Sequence, residues 1–241
     1  MITTLHTLLT NLTYGEFAQL EIGNFLPEEN ESEPDPKAYA QLSSHVNLGL
    51  AALYSEFFLA SDEIYVTLHE EITIYTLSSN FAASNDASAE DPKYIADTAE
   101  NPFTDNILKI EEIYDEVGNR IPLNDPTEDL SVFTTDFRSI QVPWPNDYNT
   151  VAVMYRASHD AIVYTADMDP AAIEIILPPH LIEALQFYVA GRVFASLNRD
   201  KNAEANSYYE KYEKLIGSVT ARGLQIQGEP GNDRFADGGW I

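Results

Sequence analysis

Apolar residues recur every three or four positions at both ends of the chain and every second position through its middle. Ile2, Leu5, Leu8, Leu9 and Leu12 keep helical spacing, with Thr3 or Thr4 placed to cap, and predict a short first helix over Ile2–Leu12. Tyr39, Leu42, Val46, Leu50, Leu53 and Phe57 then step along one face and predict a long amphipathic helix that ends near Ala60. On that helix His45 and Asn47 read as polar-face residues rather than ligands. Between Pro27 and Pro36, Glu28, Glu29, Glu31, Glu33 and Asp35 occur without one large apolar residue, which reads as a solvated acidic loop.

From Glu63 the period becomes two. Ile64, Val66 and Leu68 alternate, His69-Glu70-Glu71 turns the chain, and Ile72, Ile74 and Thr76 alternate again, predicting a β-hairpin. Residues 79–104 are rich in Ser, Ala, Asn and Asp and too poor in large apolar residues for core strands, so a long surface loop with at most one helical turn is expected. Ile107, Lys109, Glu111 and Ile113 begin another strand, and Glu116-Val117-Gly118-Asn119 supplies its turn. Further strands are expected at Val132–Phe133, Ser139–Val142, Thr150–Ala157, Ala161–Thr165 and Ile173–Ile176. That many short strands favour a sandwich or a strongly curled sheet.

The helical period returns at Pro179, whose fixed φ suits a first turn. Ile182, Leu185, Val189, Val193 and Leu197 form one face, with Gly191 and Ala195 small enough for close helix approach. After a corner at Asn198-Arg199-Asp200, a last helix spans Ala203–Gly223, with Tyr208, Tyr212, Leu215 and Val219 on one side and a Glu210–Lys214 pair on the other. The remainder, 224–241, is rich in glycine and cannot fold alone, yet it carries Phe235 and Trp240. The matching periods at the two ends predict an α+β fold. Its N- and C-terminal helices (1–60 and 177–223) form a bundle, a large antiparallel β-rich, sandwich-like region (61–176) is inserted, and 224–241 is an extended, flexible docking tail.

Composition narrows the chemistry. With 241 residues, 44% of them hydrophobic, a sizeable core is assured, and no apolar run nears the roughly 18 residues of a membrane span. The opening residues lack the basic and apolar stretches of a secretory signal, so neither export nor a membrane partner is expected. Zero cysteines exclude disulfides, thiolate metal sites and cysteine nucleophiles. A net charge of −26 opposes phosphate binding, and nearly all of it lies before residue 179. Such acidity keeps a protein soluble and also repels passing DNA. The candidate acidic surfaces are Glu28, Glu29, Glu31, Glu33 and Asp35, together with Asp86, Glu90 and Asp91.

Reactive motifs are missing. His6, His45, His69, His159 and His180 are scattered, and His69-Glu70-Glu71 places no second histidine at zinc-protease spacing. No nucleophile elbow or glycine-rich phosphate loop occurs. Asp125 with Glu128, and Asp167 with Asp169, are carboxylate pairs that chance explains among 39 acidic residues. The sequence therefore points to no catalytic residues, cofactor or metal.

An ordered set of segments carries a resemblance. It comprises the helix Tyr39-Ala40-Gln41-Leu42 through Gly49-Leu50, the run Lys109-Ile110-Glu111-Glu112-Ile113-Tyr114 to Gly118-Asn119, the pair Asn124-Asp125, and the strand Met154-Tyr155-Arg156-Ala157-Ser158-His159. Leu177-Pro178-Pro179 leading to Tyr188 through Phe194, and the closing Asn232-Asp233-Arg234-Phe235 with Gly238-Gly239-Trp240, complete it. In this order they resemble the head-to-tail adaptor (connector, or tail tubular) proteins under the portal of tailed bacteriophages. The resemblance implies a non-enzymatic virion protein, assembled in the host cytoplasm. It also implies a ring, commonly of twelve copies, that joins the portal protein to the tail nozzle or tail tube while double-stranded DNA passes through without specific binding. Large aromatics kept in a glycine-rich tail read either as anchors for a partner surface or as a tail that folds back on its own domain; with a portal as partner, Arg234, Phe235, Trp240 and Ile241 are the expected docking residues. Rival readings are a head- or tail-completion ring component, and a tail-associated β-sandwich binding module or hydrolase.

Overall fold

The computed structural model describes residues 2–18, 36–143, 149–197 and 202–224. The fold is mixed α+β, with four helices and antiparallel sheets among these residues. Strand β1 (Ile2–Thr4) leads directly into helix α1 (Leu5–Tyr14), which is followed by α2 (Pro36–Glu56). The β region holds β2 (Ser61–Thr67), β3 (Ile74–Thr76), β4 (Ile95–Ala96), β5 (Ile107–Tyr114), β6 (Arg120–Ile121), β7 (Phe133–Asp136), β8 (Ser139–Gln141) and β9 (Thr150–Ala157). Strand β10 (Glu174–Ile176) and helices α3 (Pro179–Leu197) and α4 (Asn202–Ala221) close the described chain.

The first helix starts three residues later than its apolar spacing predicts. Ile2–Thr4 pairs antiparallel with β10 instead. The β-branched run Ile2-Thr3-Thr4 favours extended backbone, and Thr4, itself extended, accepts the Thr7 N–H as N-cap.

The strands form a five-stranded sheet in the order β4-β2-β9-β5-β6 and a three-stranded sheet in the order β3-β8-β7. The expected hairpin of β2 with β3 does not form: β2 pairs with β9 and β4, and β3 pairs with β8. The Glu70-Glu71 link has no residue suited to positive φ, as a tight hairpin requires. The Tyr75 hydroxyl instead accepts the His69 N–H at 2.7 Å and pins the link as a loop. No strand forms at 161–165 either, because the Asn47 side chain takes both backbone groups of Ile162, at 2.8 and 2.9 Å, in place of a neighbouring strand.

Two hydrophobic clusters result. One gathers Leu5, Leu8, Leu9 and Leu12 of α1, Leu42, Val46, Leu50 and Leu53 of α2, Leu181, Leu185 and Val189 of α3, and Tyr212, Ile216 and Val219 of α4. The other lies among the strands of both larger sheets, with Val66, Tyr75, Ile95, Ile113, Ile140, Val153 and Tyr155 at its centre. Ala60 touches both. Leu53 and Leu185, expected as core from their spacing, are completely buried.

Candidate functional site

Of the acidic candidates, Asp86, Glu90 and Asp91 lie among the described residues, and all three are exposed. Glu28, Glu29, Glu31, Glu33 and Asp35, and the tail residues Arg234, Phe235, Trp240 and Ile241, lie outside them. The stretch from 79 to 104 is more structured than its composition predicts. Tyr94, Ile95 and Phe103 are buried, and Ile95–Ala96 forms the edge strand β4. The Tyr94 hydroxyl spans the Thr76 backbone, accepting its N–H at 3.1 Å and donating to its carbonyl at 2.8 Å.

Asp97 is the hub of this excursion. Its carboxylate accepts the Ser84 N–H at 2.7 Å, the Ser84 hydroxyl at 2.6 Å and the Phe103 N–H at 2.9 Å. Partial burial works to raise its pKa, but these hydrogen bonds together prevail and hold the carboxyl below its ordinary value. Asp105 plays a parallel part by accepting the Ser79 N–H at 2.8 Å and the Ser79 hydroxyl. The exposed carboxylates are therefore displayed on a braced platform.

The carboxylate pairs noted in the sequence are turn formers. Asp125 accepts from the Thr127 N–H and hydroxyl at 2.9 and 2.7 Å, Asp167 from the Thr165 hydroxyl at 2.5 Å, and Asp169 from the Ala171 N–H at 2.8 Å. Several histidines are likewise spent on structure: His6 Nδ1 bonds the Tyr39 hydroxyl at 2.9 Å, and His159 sits edge-on to Tyr54. His45 is half-buried; desolvation, aided by Arg192, lowers its pKa and keeps its ring neutral at pH 7. The expected Glu210–Lys214 pair does not form among the described residues. Lys211 instead lies over the Tyr208 ring at 4.5 Å. Among the described residues, no three His, Asp or Glu side chains converge as a metal site.

Two concavities stand out among the described residues. A polar cleft of about 380 Å³ is lined by Asp62, Glu63, Asp97, Asn106, Tyr155 and Asp160. In it the Tyr155 hydroxyl donates to Asn106 Oδ1 at 2.9 Å, and burial together with the Asp62 charge raises its pKa, so it remains a neutral donor. The second, of about 430 Å³, is apolar and lies where the β5–β6 hairpin meets Val132, Val142 and Val151. Exposed Val117 and Leu130 stand on its edge beside Asp115 and Glu116. Arg120, also lining it, is paired with Glu112 at 3.1 Å. Asn124, at φ 58°, and Ser131 fold the adjoining loop that presents Leu130: Thr134 donates its N–H to Asn124 Oδ1 at 2.9 Å, and Asp125 donates its N–H to the Ser131 hydroxyl at 2.9 Å.

Neither concavity is visible in the sequence, because each draws on strands distant in the chain. In β5, register shifts between Ile107 and Lys109 and between Ile110 and Glu112 break the alternation and turn Glu112 inward, which the chain's own pattern does not announce. No family model matches the chain, and no curated protein sequence matches it.

Proposed function

We propose that the chain is a structural subunit of a tailed-phage head-to-tail adaptor. Copies would form a ring between the portal protein and the tail nozzle or tail tube, and the duplex would pass through its centre. In this reading residues 1–60 and 177–223 act as a helical bundle that holds a place in the ring. Residues 61–176 are a sandwich-like insertion that reaches its neighbours, and 224–241 docks on the portal through Arg234, Phe235, Trp240 and Ile241.

The observation that carries the reading is the shared core of the chain's two ends. Helices α1 and α2 bury their leucines against α3 and α4, while the intervening strands keep a separate core. That division suits a subunit fixed by one part and linked through the other, and it follows the order of the resembling segments. The charge supports it as well. A surface at −26, with Asp86, Glu90 and Asp91 displayed on a braced platform, lets a duplex slide without being held.

Two measurements test the proposal. Purified particles of the encoding virus should contain the chain at the neck, beneath the portal, and particles without it would end this reading. Deleting residues 234–241 should leave a folded protein that no longer binds portals; undiminished binding would remove the tail from the docking role.

A further inference from the structure

The strand pair β7–β8 carries complementary surfaces at its two ends. At one end its turn presents Phe137, 62% exposed, with the Arg138 guanidinium over the ring at 5.5 Å. The turn is pinned: the Arg138 N–H donates to Asp136 Oδ1 at 2.9 Å, and the Arg138 carbonyl accepts the Leu77 N–H at 2.7 Å. Arg138 makes no ion pair among the described residues, Asp136 included, so its guanidinium is left for a partner. An aromatic ring held out in water by a fixed turn, with a cation beside it, is a ready-made knob.

At the other end, Val132 before β7 and Val142 after β8 wall the apolar cavity of about 430 Å³. An apolar void of roughly 150 Å³ already accepts a benzene ring, so a benzyl side chain fits with room to spare. Its rim is acidic. Asp115 accepts the Asn119 N–H at 2.8 Å and side-chain amide at 2.9 Å, and the Val117 N–H at 3.0 Å. Glu116 lies next to it, and Arg120 is already matched by Glu112. Four residues of β7 separate knob from cavity, about 13 Å of strand, so Phe137 cannot reach the cavity of its own chain.

We propose that Phe137 and Arg138 of one copy seat in the acidic-rimmed cavity of the next, the ring filling the apolar space and the guanidinium meeting Asp115 and Glu116. The contact is head-to-tail, so each copy keeps one free knob and one free cavity until the assembly closes. It deepens the ring reading by naming the joint between neighbours, and rests on that reading for closure alone.

The chain has no cysteine, so introduced thiols are unambiguous. Under a copper oxidant, Thr135→Cys beside the knob and Val117→Cys on the rim should form a mixed disulfide at least tenfold faster than Thr135→Cys with Val163→Cys, a site 66% exposed on the segment between β9 and β10. Adding Phe137→Ala should bring that rate down to the control without changing the thermal melt, since the side chain is exposed. A chain carrying both thiols should give a ladder beyond the dimer. A mixed pair no faster than the control, or a rate indifferent to Phe137→Ala, overturns the contact. A ladder from a chain missing from particles would keep the contact and remove the adaptor. Portal-bound rings of normal size built from Phe137→Ala would do the reverse.

Discussion

Arg156 leaves β9 and crosses to the helical side of the molecule. Its guanidinium pairs with Glu111 at 3.1 Å, lies over Phe58 at 5.1 Å and donates to the Ser55 carbonyl at 3.4 Å, tying the end of α2 to the sheet. Both side chains are largely shielded, so removing Arg156 leaves Glu111 with only the exposed Lys109, at 2.6 Å, as its counter-charge, and removing Glu111 strands Arg156. Arg156→Met should destabilise by about 1–3 kcal/mol, and Arg156→Met with Glu111→Leu should recover part of that loss. Denaturant melts of the two variants decide it, and an equal loss in both would mean the pair itself matters little.

Asp97 makes a pH-dependent case at the same scale. Its folded pKa lies below the ordinary 3.8, so its stabilisation is complete above that value and drains away as pH falls through the lower, folded one. Asp97→Ala should cost about 1–3 kcal/mol at neutral pH by orphaning the Ser84 and Phe103 amides. The gap between variant and parent should narrow as pH drops below about 4, as followed by urea melts at a series of pH values.

Among elements, the packing of the helices decides the sign of glycine substitutions. A Cβ on Gly49 would meet Leu185 Cδ1 at 2.6 Å and the Tyr188 ring at 3.1 Å, so α2 sits too close to α3 for alanine. Gly217 on α4 has nothing within 4 Å. Gly49→Ala should therefore destabilise by about 1–3 kcal/mol, whereas Gly217→Ala should stabilise by about 0.5–1 kcal/mol through helix propensity alone. Leu53→Ala and Leu185→Ala, both in the shared helical core, should each cost about 2–5 kcal/mol. Losses below half a unit at both leucines would contradict a common core for the two chain ends.

Helices of this chain were legible because each announces its buried face within some twenty residues. Strand pairing was not. The β2 pattern reveals that Ile64 and Val66 face inward, but the choice of β9 over β3 as partner depends on a segment some 85 residues away. Within β5 two bulges shift the alternation, so that the neighbours Glu112 and Ile113 are both buried where a strict period of two would place them on opposite faces. Tyr94, Ile95 and Phe103 were hidden within a polar stretch because a few apolar residues suffice once a side chain such as Asp97 braces the backbone at Ser84 and Phe103.

On the scale of the whole molecule, charge is the dominant variable. At −26 the folded chain repels itself, and a more expanded unfolded chain repels itself less. Raising salt from about 20 mM to about 300 mM should lift Tm by a few degrees, because the Debye length falls from about 20 Å to about 6 Å and screens the repulsion. A Tm that falls over this range would indicate that ion pairs outweigh the repulsion.

By itself the sequence determined the helices at both ends, a β-rich middle, the acidic surface and the lack of any cysteine chemistry. These are properties of local spacing and composition, which each segment carries wherever it folds. Only the tertiary structure decided which strands pair, that Ile2–Thr4 is a strand, and that Asn47 replaces a strand partner for Ile162. It also decided that Phe137 and the acidic-rimmed cavity occupy opposite ends of one strand pair. Those outcomes rest on contacts between residues far apart in the chain, where each backbone group takes whichever partner the closed core brings within hydrogen-bonding distance.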